Sequence, residues 1–167
     1  MPELQLLRPE HIPALLTFEQ ENRAYFARWV PDRGDDYFAE FAARLTALLA
    51  EQDAGVCFFH VLVEGDGAIV GRVNLIDAVD GAATLGYRIA ERAAGRGLAT
   101  TAVRQALGLA ARSYGLRTVL AETTVVNAGS RAVLERTGFV RAGETTLDGL
   151  PALRFTRALA PEPVGAA

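Results

Sequence analysis

A single cysteine, Cys57, rules out any disulfide within the chain, so nothing in this sequence is stapled covalently. Histidine is nearly as scarce: His11 and His60 stand far apart without recognisable partners, nothing gathers at metal-ligand spacing, and no metal is expected. Long apolar runs are missing, as is a charged-then-apolar leader, so no membrane association is expected and the cytoplasm is the expected compartment. Positive charge is in deficit. A net charge of −3 and a pI near 5.4 give no electrostatic pull toward nucleic acid or an anionic membrane, whereas a basic acceptor suits that balance. Apolar residues are plentiful: at 50% hydrophobic against 22% charged, 167 residues can bury one sizeable core. We read residues 1–160 as a single domain and the Pro/Ala-rich stretch 161–167 as a disordered tail.

The chain is organised around residues 85–107, where a strand-like run passes through Gly95 and Gly97 into an amphipathic helix. Glycines at such a junction let a ligand approach the backbone closely, and the helix start offers unpaired N–H groups and the positive dipole end to an anion. A Walker loop would need Gly-Lys-Ser/Thr, and no lysine lies near. A dinucleotide fingerprint would need three spaced glycines and a later acidic residue. A plain glycine-rich turn is the bland alternative.

The stretch Ala94-Gly95-Arg96-Gly97-Leu98-Ala99 resembles the pyrophosphate loop of the GNAT superfamily of N-acetyltransferases, Gln/Arg-x-x-Gly-x-Gly/Ala, with alanine where the polar first residue would stand. Arg92-x-x-Gly95-x-Gly97 also satisfies the letters but begins two residues early. Independently, Asn127-x-x-Ser130 followed by Glu135-Arg136-x-Gly138-Phe139 resembles the segment after the fifth strand in the RimJ/RimL-like branch. Leu6-Leu7-Arg8-Pro9, Trp29-Val30-Pro31 and Leu85-Gly86-Tyr87 resemble further elements of that branch, so the likeness runs from about Leu4 to about Leu159.

The patterning agrees with the fold implied, an α/β, GNAT-like fold with a central mixed and splayed β-sheet of about seven strands flanked by helices. Strand signals fall at residues 4–8, 56–64, 68–77, 82–90, 117–126, 139–147 and 151–159, punctuated by Gly65-Asp66-Gly67, Asp80-Gly81 and Asp148-Gly149. Helical spacing covers 10–26, 35–51, 97–114 with Gly115 at its C′ position, and 130–136. Val119 to Val126 reads as a buried parallel strand, which would make Glu122 a buried carboxylate, either salt-bridged or functional. Tyr25, Phe26 and Trp29 read as core or as the wall of an acceptor pocket.

The resemblance implies direct transfer from acetyl-CoA to a primary amine, without a covalent enzyme intermediate. Cys57, in an apolar strand, reads as a core thiol. The resemblance places acetyl-CoA against Ile89, Ala94, Gly95, Arg96, Gly97, Leu98, Ala99, Thr100, Asn127 and Arg136. Many members use a tyrosine as general acid where this chain has Leu134; Ser130 is the replacement that the branch suggests, its alternative role being a helix cap, while Asn127 would hold the pantetheine amide. Glu122 leads the base candidates, ahead of Asp77 and Glu144. Tyr25, Trp29, Asp77 and Tyr87 are expected beside the acceptor, with Asp32, Asp35, Asp36, Asp80 and Asp148 as acidic groups for a cationic one. The branch includes acetylases of ribosomal protein N-termini and of small amines; a protein or peptide N-terminus is the expected acceptor, and the chain a monomer or homodimer. A CoA-binding module without catalysis is the alternative from another class.

Overall fold

The computed structural model describes residues 1–160; the expected tail lies outside them. β1 (Glu3–Leu6), β2 (Phe58–Val63), β3 (Ile69–Val79) and β4 (Ala82–Ile89) form an antiparallel run, β5 (Thr118–Thr124) lies parallel to β4, and β6 (Val140–Leu147) and β7 (Leu150–Ala158) close the sheet as a hairpin. The order is β1-β2-β3-β4-β5-β7-β6, a seven-stranded mixed sheet.

β4 and β5 pair only at Ala82↔Thr118, Ala83↔Val119 and Thr84↔Leu120. Both strands continue well past that point, so they part and leave the expected V-shaped gap in the sheet. From Leu85 to Ile89, β4 stays paired with β3 but loses β5 as a neighbour, and this open edge borders the gap.

α5 (Leu98–Arg112) crosses one face of the sheet and buries Leu98, Ala102, Val103, Ala106, Leu107 and Ala110, a stripe at three- and four-residue spacing whose alanines permit close packing. Gly115 ends it with φ +66, and the Leu116 N–H donates to the Ala110 carbonyl at 3.0 Å. β5 departs from the expected doubly buried strand: Val119, Ala121 and Thr123 are buried, whereas Leu120 and Glu122 are exposed, the alternation of a strand covered on one face.

The helix expected over residues 10–26 is split into α1 (Ile12–Glu21) and α2 (Arg23–Phe26). Asn22 causes the break. Its side-chain amide donates to the Phe18 carbonyl at 2.8 Å, sharing that acceptor with the Asn22 N–H at 3.2 Å, and its Oδ1 accepts the Glu91 N–H at 3.0 Å. The helix expected over 35–51 is likewise two, α3 (Asp35–Ala39) and α4 (Phe41–Asp53). α6 (Ala128–Arg136) follows the fifth strand.

His60, expected to lack partners, is buried in β2 and doubly bonded. Its Nδ1 donates to the Val73 carbonyl at 3.0 Å, and its Nε2 accepts from the Tyr114 hydroxyl at 2.6 Å while that ring stacks on Phe58. His11 also has partners, Gln5 and the Arg8 N–H. Burial holds the His60 pKa below its ordinary value, so the unfolded chain takes up the proton first. The contribution of neutral His60 is complete above about pH 6.5 and is lost as pH falls through the folded-state pKa. Chemical denaturation at about pH 7 and about pH 5 should therefore show a loss of stability that shrinks in His60→Gln; an unchanged pH slope would contradict this.

Candidate active site

Two connected cavities fill the gap. The larger, about 460 Å³, is lined by the end of β4, the 93–100 loop and helix start, and α6. Gly95 and Gly97 have φ of +77 and +75, backbone that L side chains rarely adopt, and a Cβ at either would meet nothing within 4 Å. Gly97 is the N-cap of α5, no side chain caps this helix, and no acidic residue lies in its first turn. Its first N–H groups are thus free to receive an anion, in a cradle of open backbone that fits a pyrophosphate. Ile89, Ala94, Gly95, Gly97, Leu98, Ala99, Thr100, Asn127 and Arg136 all line this cavity. Arg96 does not; its guanidinium donates to the Arg92 carbonyl at 2.7 Å.

The smaller cavity, about 280 Å³, shares six residues with the larger: Trp29, Val30, Tyr87, Arg88, Asn127 and Ser130. At this junction Asn127 caps α6, its Oδ1 accepting the Ser130 N–H at 3.2 Å. The cap is therefore Asn127, not the Ser130 hydroxyl, which leaves that hydroxyl and the Asn127 Nδ2 available to the cavities. Burial raises the Tyr87 pKa, and Ser130 beside it lowers it part of the way back. Leu134 is buried against the smaller cavity and offers no proton. Burial also pushes the Cys57 thiol up to about 11, and it lines neither cavity.

The floor of the smaller cavity is built from charges that the sequence reading did not single out. Arg72 on β3 and Arg88 on β4 are direct cross-strand partners. Two like charges in that register repel, and Glu19 of α1 offsets the repulsion by accepting from both at 2.8 Å. The three side chains are 2% (Glu19), 8% (Arg72) and 18% (Arg88) exposed. The alternation Arg72-Val73-Asn74-Leu75 in a strand otherwise apolar was the available signal for a polar face here.

Glu122 lines the same cavity but is not the buried carboxylate expected: its side chain is 39% exposed and lies 3.5 Å from Arg154. Trp29 is 45% exposed and borders both cavities, so it is wall and not core; Phe26 is core, and Tyr25 lies on the larger cavity alone. Asp77, Glu144, Asp36 and Asp80 line neither cavity. Asp32 and Asp35 are held by Arg23 at 2.7 and 2.9 Å, which keeps the Asp32 carboxyl down at about 2. Of the expected aspartates only Asp148, at the β6–β7 turn, lines the smaller cavity.

A splayed mixed sheet whose open helix start meets a second cavity fits an acyltransferase, and comparison with known proteins gives that class. The chain belongs to the GNAT acetyltransferase family, whose acetyltransferase (GNAT) domain matches residues 3–140, and within it to the RimJ/RimL-like branch. It is 30% identical over 157 residues to the putative ribosomal N-acetyltransferase YdaF of Bacillus subtilis, covering 88% of this chain and 81% of that one. Among solved structures, the ribosomal-protein-S5-alanine acetyltransferase of Vibrio fischeri superposes with a TM-score of 0.87 at 21% identity, over 93% and 92% of the two chains. The spermidine N-acetyltransferase of Vibrio cholerae, solved with CoA and spermine, superposes with a TM-score of 0.76 at 18% identity, over 94% and 95%. Among the described residues no helix is long and apolar enough to cross a membrane.

Proposed function

We propose that this protein transfers an acetyl group from acetyl-CoA directly to a primary amine, the N-terminal amine of a protein or peptide. The observation that carries this reading is the meeting of two cavities at Tyr87, Asn127 and Ser130, one opening onto the glycine cradle and one bounded by Arg72, Asn74 and Asp148. Acetyl-CoA supplies the activated acyl group. The backbone of Gly95, Gly97 and the first turn of α5 receives its pyrophosphate, Arg136 adds positive charge on the same side, and the Asn127 amide holds the pantetheine.

The neutral amine attacks the thioester carbonyl, and as the tetrahedral adduct collapses and the C–S bond breaks, the Ser130 hydroxyl gives a proton to the departing thiolate and takes one from the acceptor nitrogen, with Tyr87 alongside to orient it. Glu122 takes the proton from the acceptor ammonium; an N-terminal amine, with a pKa of about 8, asks little of its base. Ser130→Ala should lower kcat by roughly 10²–10⁴-fold with acetyl-CoA affinity retained, and an unchanged kcat would remove Ser130 from the chemistry.

The acceptor is tested by following acetyl-CoA consumption with N-terminal peptides, free lysine, polyamines and aminoglycosides. The chain contains no lysine, so background acetylation of the enzyme is confined to its own α-amino group. Turnover is expected with the peptides; turnover confined to the small amines would replace the N-terminal acceptor with a small-molecule one.

A further inference from the structure

With the smaller cavity taken as the acceptor site, as proposed above, we propose that the acceptor carries a carboxylate close to its amine and that Arg72 and Arg88 bind that carboxylate. The β3–β4 register sets Arg72 opposite Arg88 and Asn74 opposite Gly86, so all four share one face and form the cavity floor. Glu19 supplies one negative charge to two guanidiniums, which leaves one positive charge over in a nearly water-free setting. Arg72 Nε and Asn74 Oδ1 are both buried without a hydrogen-bond partner. A protein rarely leaves such groups unpaired, and the amide of Asn74 can turn to present its Nδ2 instead. Gly86 keeps the floor bare above them: a Cβ there would meet nothing within 4 Å.

The remaining charges of the cavity are sorted by position. Arg33 adds a third guanidinium, while Glu122 and Asp148 lie on β5 and the β6–β7 turn. Burial depresses the Arg88 pKa against the pull of Glu19, and Arg33 and Arg72 nearby add to the fall. Carboxylates at one side suit the ammonium of the acceptor and guanidiniums at the other suit an anion, so the cavity matches a molecule carrying both. A polyamine, positive along its whole length, meets repulsion at the arginines.

The test compares kcat/KM for peptides with Asp or Glu at the first or second position against Ala and Lys counterparts, together with free aspartate, free glutamate and spermidine. Acidic acceptors should exceed neutral ones by at least about 10-fold, with spermidine poorest. Asn74→Asp supplies the missing anion from the protein itself, so it should remove most of that preference without lowering Tm. Turnover of free acidic amino acids alone would keep the carboxylate contact and assign it to a small zwitterion. Neutral or basic peptides turned over as well as acidic ones, or a preference untouched in Asn74→Asp, would overturn the carboxylate contact while leaving the acyltransfer reading in place. No turnover of any amine by a protein that binds acetyl-CoA would overturn both.

Discussion

Gly97→Glu is expected to weaken acetyl-CoA binding by at least about 100-fold, because it places a carboxylate at the start of α5, where the proposed site receives the pyrophosphate. The position has φ +75, so any L residue adds backbone strain of about 1–2 kcal/mol, equivalent to a fall in Tm of about 2–4 °C per kcal/mol in a chain this size. Gly97→Ala separates the two effects. Its Cβ enters open space, so it carries the same strain without the charge, and its affinity for acetyl-CoA should stay much closer to that of the parent. Comparable losses in both variants would mean that backbone geometry, and not anion exclusion, governs the loop. A folded Gly97→Glu that binds as tightly as the parent would remove the phosphate from this site.

Gly86→Leu acts on the other half. Gly86 lies in β4 opposite Asn74 with ordinary backbone and an open floor above it, so a leucine enters the smaller cavity without strain and with better strand propensity than glycine. The acceptor kcat/KM should fall by about 100-fold or more while acetyl-CoA affinity stays within about twofold, since misplacement of the amine by about 1 Å is enough for such a loss. Equal losses on both sides would show that the two cavities are not divided as described.

The fold was legible in the chain because its strands stand out as short apolar or β-branched runs and its turns carry Gly and Asp at the required places. Asp148-Gly149 and Asp80-Gly81 both mark observed turns, and in each the aspartate itself takes a positive φ, +51, as the glycine does. The apolar spacing over residues 10–26 could not reveal the break at Asn22, since that break comes from a side-chain bond to Phe18 and a tertiary bond to Glu91. The larger cavity was legible for a related reason: its cradle is contiguous in sequence and made of backbone. The floor of the smaller cavity was not. Glu19, Arg72 and Arg88 come from three elements, and their pairing appears only when α1 lies across the β3–β4 register. The aspartates misled because charge composition does not tell which acids are already spoken for; Arg23 takes Asp32 and Asp35.

Titration of the purified full chain with acetyl-CoA in a calorimeter tests the central claim most directly. Saturable one-to-one binding, competed by free CoA and lost in Gly97→Glu, is the result predicted from the open glycine cradle at the head of α5. The absence of any saturable binding by the folded protein would contradict both the acetyl-CoA site and the transfer reaction built on it.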